Sequence, residues 1–471
     1  MHRLLCNMRQ RRIGVTKWIE SVCLQYNVTD RRIELYLRQF FQLIGVYTYE
    51  QRVDVKNEPN ITSSEYFADI VILSAKYIQN HGQFLEDYSE NTIWIVEDKR
   101  VYEILDEIGA LENKNVFLCD FKYDREKLIL NLIECLENIY VRENIEEYPF
   151  FDEWKILGKI YINENMFDHM YLCEHFIPDD KLFLAFSEGY SDVVDEILKK
   201  WKESSTKGLY FQYAIIYIAY SINAYCKRNN DTYIYNTNNL NELVTSLVSD
   251  IKNNRNVMLL QAKIKNNLLN DTESAKIIYE ELKGKVNWGE IYYDLGQISE
   301  QKEHDYLKAM RYYQESIKYL SEKSYLIYRI AKCWYKMGEK MKAVSAWQEV
   351  VNLLNAYCQA SSMSLIEGRY LYKSAMAMGD VWIEDKRSCE AALSSYKLAE
   401  IVYNMIEKNS ALFLENMLEK YSLDELRDVM KKTLNRMELQ KKSYYAHILQ
   451  KENKEAREYL EKMRKKETEE E

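Results

Sequence analysis

Apolar residues recur along this chain with two different periods. Between Trp18 and Tyr140, short runs rich in Val, Ile and aromatic residues alternate with amphipathic stretches. The runs Glu20–Gln25, Gly45–Tyr49, Asp69–Leu73, Thr92–Val96 and Val116–Cys119 predict five strands, because β-branched and aromatic side chains fit a pleated surface. Between them, Ile33, Leu37, Phe40 and Phe41 in Arg31–Leu43, and Leu128, Leu132, Ile133 and Leu136 in Glu126–Ile139, fall on single helix faces. Strands alternating with helices imply a parallel sheet, so residues 18–147 are expected to form a small five-stranded, doubly wound α/β domain.

From Tyr148 onward the helical period takes over, and Pro149 with the aromatic residues Phe150, Phe151 and Trp154 marks the border. Residues 148–254 read as helices in degenerate repeats, residues 255–420 as clear repeats, and residues 421–471 as charged carboxy-terminal helices. A basic leader, residues 1–17, precedes the first strand. In Ser324–Tyr357, Ile327, Ile330, Ala331, Trp334, Gly338, Ala343, Trp347 and Val350 alternate small and large residues at fixed offsets. The same register carries Leu295, Gly296, Ala309 and Tyr313 in the unit that begins near Gly289, and Ala262, Ala275 and Tyr279 in Arg255–Trp288. A fourth unit, Ser364–Ile406, has Gly379, Ala392, Tyr396 and Ala399. The interval is about 34 residues. Gly296, Ala331, Ala309 and Ala343 let paired helices approach closely, and Tyr313 and Trp347 fill the space between neighbours.

These repeats resemble tetratricopeptide (TPR) units. That likeness implies an α-helical solenoid whose concave wall holds a protein or peptide, with Tyr293, Gln297, Arg329 and Lys332 at the groove positions. The amino-terminal region resembles a bacterial TIR domain. VCLQYNVTD (Val22–Asp30) sits where that family has a strand, a turn and an acidic residue. LIGVYTY (Leu43–Tyr49) looks like its second strand, and ADIVILSAKYI (Ala68–Ile78) like its apolar third strand followed by a serine. The full expectation is therefore α/β plus all-α, a TIR- or flavodoxin-like parallel sheet followed by a TPR-type solenoid.

The TIR likeness implies self-association and, in the family's catalytic members, cleavage of NAD+. Breaking the nicotinamide–ribose bond develops oxocarbenium character, so a carboxylate beside the ribose stabilises the charge. Counting onward from Ser74 places Glu86 in that catalytic position. Arg52 and Asp54, expected in the loop after the second strand, and Ser74 would bind NAD+ at the carboxyl edge of the sheet. The sequence departs from the family in having Gly82 where a stacking Trp is common and no glycine in the Gln51–Asn60 loop. Two readings follow. In one, the repeats bind a protein trigger and the α/β domain responds by NAD+ hydrolysis, as in the bacterial defence proteins this arrangement resembles. In the other, the chain is a non-catalytic scaffold or regulatory adaptor, and both halves are protein-binding surfaces.

Composition narrows this further. A net charge of −10 argues against general affinity for nucleic acid or anionic membrane, which need a positive footprint. The nine cysteines include no CxxC pair and read as reduced thiols of a cytoplasmic protein. The uncharged stretch Gly208–Cys226 has Gln212, Ser221 and Asn223 in it, which suits a buried helix better than a membrane span. His169, Cys173 and His175 lie close together but lack a fourth ligand, so no metal is expected. Glycine-rich phosphate loops and the HExxH and GxSxG motifs are absent, and no cofactor is required; NAD+ enters only as substrate.

Overall fold

The structure is a computed structural model. It describes residues 19–27, 31–52, 65–74, 91–107, 115–119, 121, 125–142, 149–163, 196–197, 199–200, 208–228, 235–251, 254–320, 323–359, 365–384 and 388–409, with short helical pieces between 427 and 462. Two compact units are present, Met1–Arg329 and Ile330–Glu471. A five-stranded parallel sheet in the amino-terminal region is followed by helices, the α/β plus all-α class that the two periods predict.

In the first unit, β1 (Ser21–Tyr26), β2 (Tyr47–Arg52), β3 (Asp69–Leu73), β4 (Thr92–Val96) and β5 (Asn115–Leu118) lie in the order β2-β1-β3-β4-β5, all parallel. Strand β1 pairs Ser21 with Tyr47 and Tyr26 with Arg52 on one side, and Cys23 with Asp69 on the other. Helix α1 (Arg31–Leu43) follows β1, α2 (Lys99–Glu107) follows β4, and α3 (Arg125–Arg142) follows β5.

The first and fifth strands are each shifted by one residue from their expected bounds, and the second departs furthest. Helix α1 ends in a turn in which Val46 N–H donates to the Phe41 carbonyl at 2.8 Å and Gly45 N–H to that of Gln42 at 3.2 Å. Gly45 takes φ +69° there, the left-handed conformation that closes helices and favours glycine. Gly45 thus belongs to the turn, β2 starts at Tyr47, and Arg52 is the last residue of the strand instead of part of the following loop.

Alternation along the strands gives the sheet two different faces. Val22, Leu24, Tyr26, Ile70, Ile72, Ile93 and Ile95 form one core with Phe40 and Phe41 of α1 and Leu128, Leu132 and Leu136 of α3. Helix α4 (Pro149–Asn163) adds Phe151 and Trp154, and α5 (Leu209–Arg228) adds Phe211, Ala214 and Ile218. The Glu153 carboxylate accepts from the Tyr210 and Phe211 amides at 2.9 and 3.4 Å, meeting unpaired N–H groups at the α5 amino end with a negative charge. The uncharged stretch is thus a helix packed into the core. No helix among the described residues is long and apolar enough to cross a membrane.

The other face presents Cys23, Tyr47 and Tyr49, and helical hairpins complete it. Helix α6 (Thr237–Asp250) leads into α7 (Arg255–Asn267), which pairs with α8 (Thr272–Lys283), and α9 (Gly289–Gln301) pairs with α10 (Tyr306–Ile317). Ala262, Ala275, Tyr279, Trp288, Ile291 and Leu295 from these hairpins share a core with Cys23, Tyr47 and Tyr49. Tyr47 stacks on Trp288 with ring centroids 4.4 Å apart and planes 11° from parallel. Around this stack, the Arg255 guanidinium meets Glu20 at 3.3 Å, Asn256 donates to the Glu20 carbonyl at 2.9 Å, and Asn287 donates to Glu65 at 3.4 Å.

The hairpin turns repeat bond for bond. Leu269 N–H donates to Ile264 and Asp271 N–H to Lys265; one interval later, Glu303 N–H donates to Ile298 and Asp305 N–H to Ser299. Asn270, His304 and Gly338 occupy the left-handed position of successive turns, spaced by about 34 residues. Asp271 and Asp305 then cap the next helix, accepting from Ser274 and Lys308 at 3.2 and 3.0 Å. Within the second hairpin, a Cβ on Gly296 would stand 2.5 Å from the Tyr313 ring, so only glycine admits that aromatic.

Helix α11 (Ser324–Lys336) runs from the first unit into the second, which contains α12 (Lys340–Gln359), α13 (Leu365–Glu384) and α14 (Cys389–Asn409). There α13 and α14 repeat the same device. A Cβ on Gly379 would collide with the Tyr396 ring, and the Tyr396 hydroxyl donates to Asp380 at 2.8 Å.

Candidate functional site

In an open parallel sheet, ligands bind outside the carboxyl ends of strands that flank a reversal in strand order. Here the reversal lies between β1 and β3, since β2 sits on one side of that pair and β4 with β5 on the other. Asn27, just past β1, and Ser74, just past β3, are both buried at this edge. Arg52 ends β2 opposite Tyr26. Ser74 and Arg52 are therefore both placed at the carboxyl edge of the sheet. Glu86, Asp54 and the His169–His175 cluster lie outside the described residues. Among the described residues, no group of three or more His, Cys, Asp or Glu is placed to hold a metal ion.

A polar group that no local motif announces lies on the sheet face toward the hairpins. Gln25 donates to Asp69 at 2.9 Å, and Tyr66 also hydrogen-bonds Asp69. Burial raises the Asp69 carboxyl above the usual carboxylate range despite these two donors. The pair fastens the carboxyl end of β1 to the start of β3.

The hairpins carry the second candidate. On α9, Glu290, Tyr293, Asp294, Gln297 and Glu300 recur at three- and four-residue steps and so form one stripe. Its carboxyl half contains the expected groove residues. Gln297 donates to the Tyr293 hydroxyl at 2.6 Å, and the Tyr293 ring meets Tyr325 edge-on at 5.2 Å. The Tyr313 hydroxyl donates to Glu300 at 2.7 Å. Arg329 approaches both Glu300 oxygens at 3.2 and 3.3 Å, with its side chain 18% exposed and that of Glu300 6%. Tyr293, Gln297 and Arg329 thus come together around Glu300, and the Arg329 charge is neutralised within the wall. Lys332 stands one turn further along α11. A contacting peptide would meet Tyr and Gln side chains more readily than a bare guanidinium.

The amino half of the stripe is different. Glu290 pairs with Lys263 of α7 at 2.5 Å, and Asp294 is buried beside them. Helix α5 packs beside this pair: Tyr220 accepts from Asn267 of α7 at 2.7 Å, and Tyr213 is buried within electrostatic reach of Lys263 and Glu290. The spacing of Lys263, Glu290 and Asp294 in the sequence is that of an ordinary solvated face, so their burial follows from long-range packing alone.

No protein-family model matches the sequence, and no curated protein matches it significantly.

Proposed function

We propose that this chain binds a protein or peptide partner on its tetratricopeptide-like hairpins and passes that event to a TIR-like α/β domain that cleaves NAD+. The observation that supports the reading is the shared core of sheet and hairpins, centred on the Tyr47–Trp288 stack. Trp288 immediately precedes α9, the helix that carries Tyr293 and Gln297, and Tyr47 begins β2, the strand that ends at Arg52. A partner that shifts α9 therefore moves a residue packed on the strand leading to the candidate nucleotide edge. In this reading Glu86 stabilises the ribosyl cation, Arg52 and Asp54 hold the phosphates and ribose, and Ser74 lines the edge. The cytoplasm, with its NAD+ pool and reducing conditions, is the compartment that fits.

A scaffold without catalysis is the second reading, favoured by Gly82 and by the glycine-free Gln51–Asn60 loop. The two separate on incubation of the purified full chain with NAD+ at high protein concentration under crowding. Nicotinamide release that disappears in Glu86→Gln, with the far-ultraviolet spectrum unchanged, is the result expected for a hydrolase. Equal release by both proteins removes Glu86 from the assignment. No release from either favours the scaffold.

A further inference from the structure

The first two hairpins place the same parts differently, and the difference isolates one buried acid. In the second hairpin, the Tyr313 hydroxyl has Glu300 as acceptor and Arg329 as the cation that balances it. One repeat earlier, Tyr279 stands for Tyr313, Asn266 for Glu300 and Asp294 for Arg329, so a neutral amide holds the place of the acceptor and a carboxylate that of the cation. The Tyr279 hydroxyl faces Asp294, yet neither that hydroxyl nor Asp294 Oδ2 completes a hydrogen bond of normal geometry. Both are buried, with Tyr279 at 0% and Asp294 at 8% exposure.

Among the described residues, the groups acting on Asp294 come from three helices. Helix α7 supplies Lys263, α8 supplies Tyr279 and α9 supplies Glu290, while Tyr220 and Tyr213 of α5 act on Lys263, Tyr279 and Glu290 around it. Arg38 of α1 acts on Glu290 but is engaged by Glu34 at 3.2 Å and Glu50 at 2.7 Å. One lysine thus serves two carboxylates, and Glu290 holds it. Burial and a neighbouring like charge both favour the protonated form of a carboxyl relative to its exposed counterpart.

We propose that this cluster is a proton-operated latch, in which Asp294 takes up a proton on mild acidification and thereby tightens the packing of α5, α7, α8 and α9. The proton removes the repulsion from Glu290 and gives Asp294 a donor that the Tyr279 oxygen can accept after a small rotation. Burial, with the repulsion from Glu290, pushes the Asp294 carboxyl up to about 6 against the opposing pull of Lys263 and of the Tyr279 hydroxyl. The sign follows from linkage. A carboxyl raised in the folded state contributes stability that is fully present below its unfolded value and is lost as pH rises through about 6. The latch lies on the same helix as the candidate partner residues, so it makes that wall stiffer in acid than at neutral pH.

Hydrogen–deuterium exchange of the full chain at pH 5.0 and pH 7.5, corrected for intrinsic exchange rates, tests this in α8 and α9. Protection in the wild type is expected to fall about tenfold at the higher pH, the ratio that linkage assigns to a carboxyl raised by this much. Asp294→Asn should show equal protection at both values. Glu290→Gln, which frees Lys263 for Asp294, should move the loss of protection to lower pH and serves as the readout if Asp294→Asn does not fold. A pH-independent wild type, an unchanged fall in Asp294→Asn, or an unshifted transition in Glu290→Gln overturns the proposal.

Discussion

Replacing Trp288 with Ala is expected to destabilise the first unit by about 3–5 kcal/mol, the usual cost of deleting a large buried aromatic side chain. For a folding unit of this length, that lowers the thermal midpoint by about 5 °C at typical unfolding entropies per residue. The argument starts from an anomaly in the sequence. Trp288 occupies the N-cap of α9 and makes no side-chain capping bond, although Ser, Thr, Asn or Asp there would stabilise the helix by about 1 kcal/mol. Its ring instead lies on Tyr47 and is 1% exposed. Trp288→Asn separates the two roles, since it supplies a cap and removes the stack. A loss close to that of the Ala variant, measured by differential scanning calorimetry, confirms that packing against the sheet is what the position supplies. A more stable protein would show that the cap matters and the stack does not.

Gly296→Val should cost about 3 kcal/mol, at the upper end of the range for overpacking a filled core. The first added carbon falls 2.5 and 2.7 Å from two atoms of the Tyr313 ring, and the ring is pinned by its hydrogen bond to Glu300. Relief would require breaking that bond or parting α9 from α10. Helix propensity alone makes Val no worse than Gly in a helix, so a neutral result in urea unfolding would mean that the hairpin is looser than the geometry indicates. Gly296→Val together with Tyr313→Leu should recover part of the loss, because the flexible side chain vacates the ring's place.

How far the sequence reveals this architecture depends on how local the cause is. The strands Asp69–Leu73 and Thr92–Val96 are bounded as their apolar runs predict, because both are central strands buried on each face. The second strand is misplaced because Gly45 and Val46 continue the apolar run while the backbone closes a helix turn. The repeat interval is legible in Gly296, Ala309 and Tyr313, since a small residue opposite an aromatic is a local requirement of the hairpin. The stack of Tyr47 on Trp288 is not legible, because neither residue's neighbours announce a partner that distant in sequence. Lys263, Glu290 and Asp294 are hidden for the same reason: helix α5 turns a polar face into an interior one. Of the nucleotide-binding expectation, Ser74 and Arg52 share the carboxyl edge of the sheet.

The central claim is that sheet and hairpins act as one mechanical body. It is tested most directly by native-state hydrogen exchange of the full chain across a guanidinium series below the unfolding midpoint. The account predicts that amides of β1 and β2 and those of α7 to α9 merge into one opening transition with a common free energy and denaturant slope. If the strands keep a higher opening free energy while α7 to α9 open separately, the hairpins are an attachment to the α/β domain, and a partner bound to them has no route to its edge.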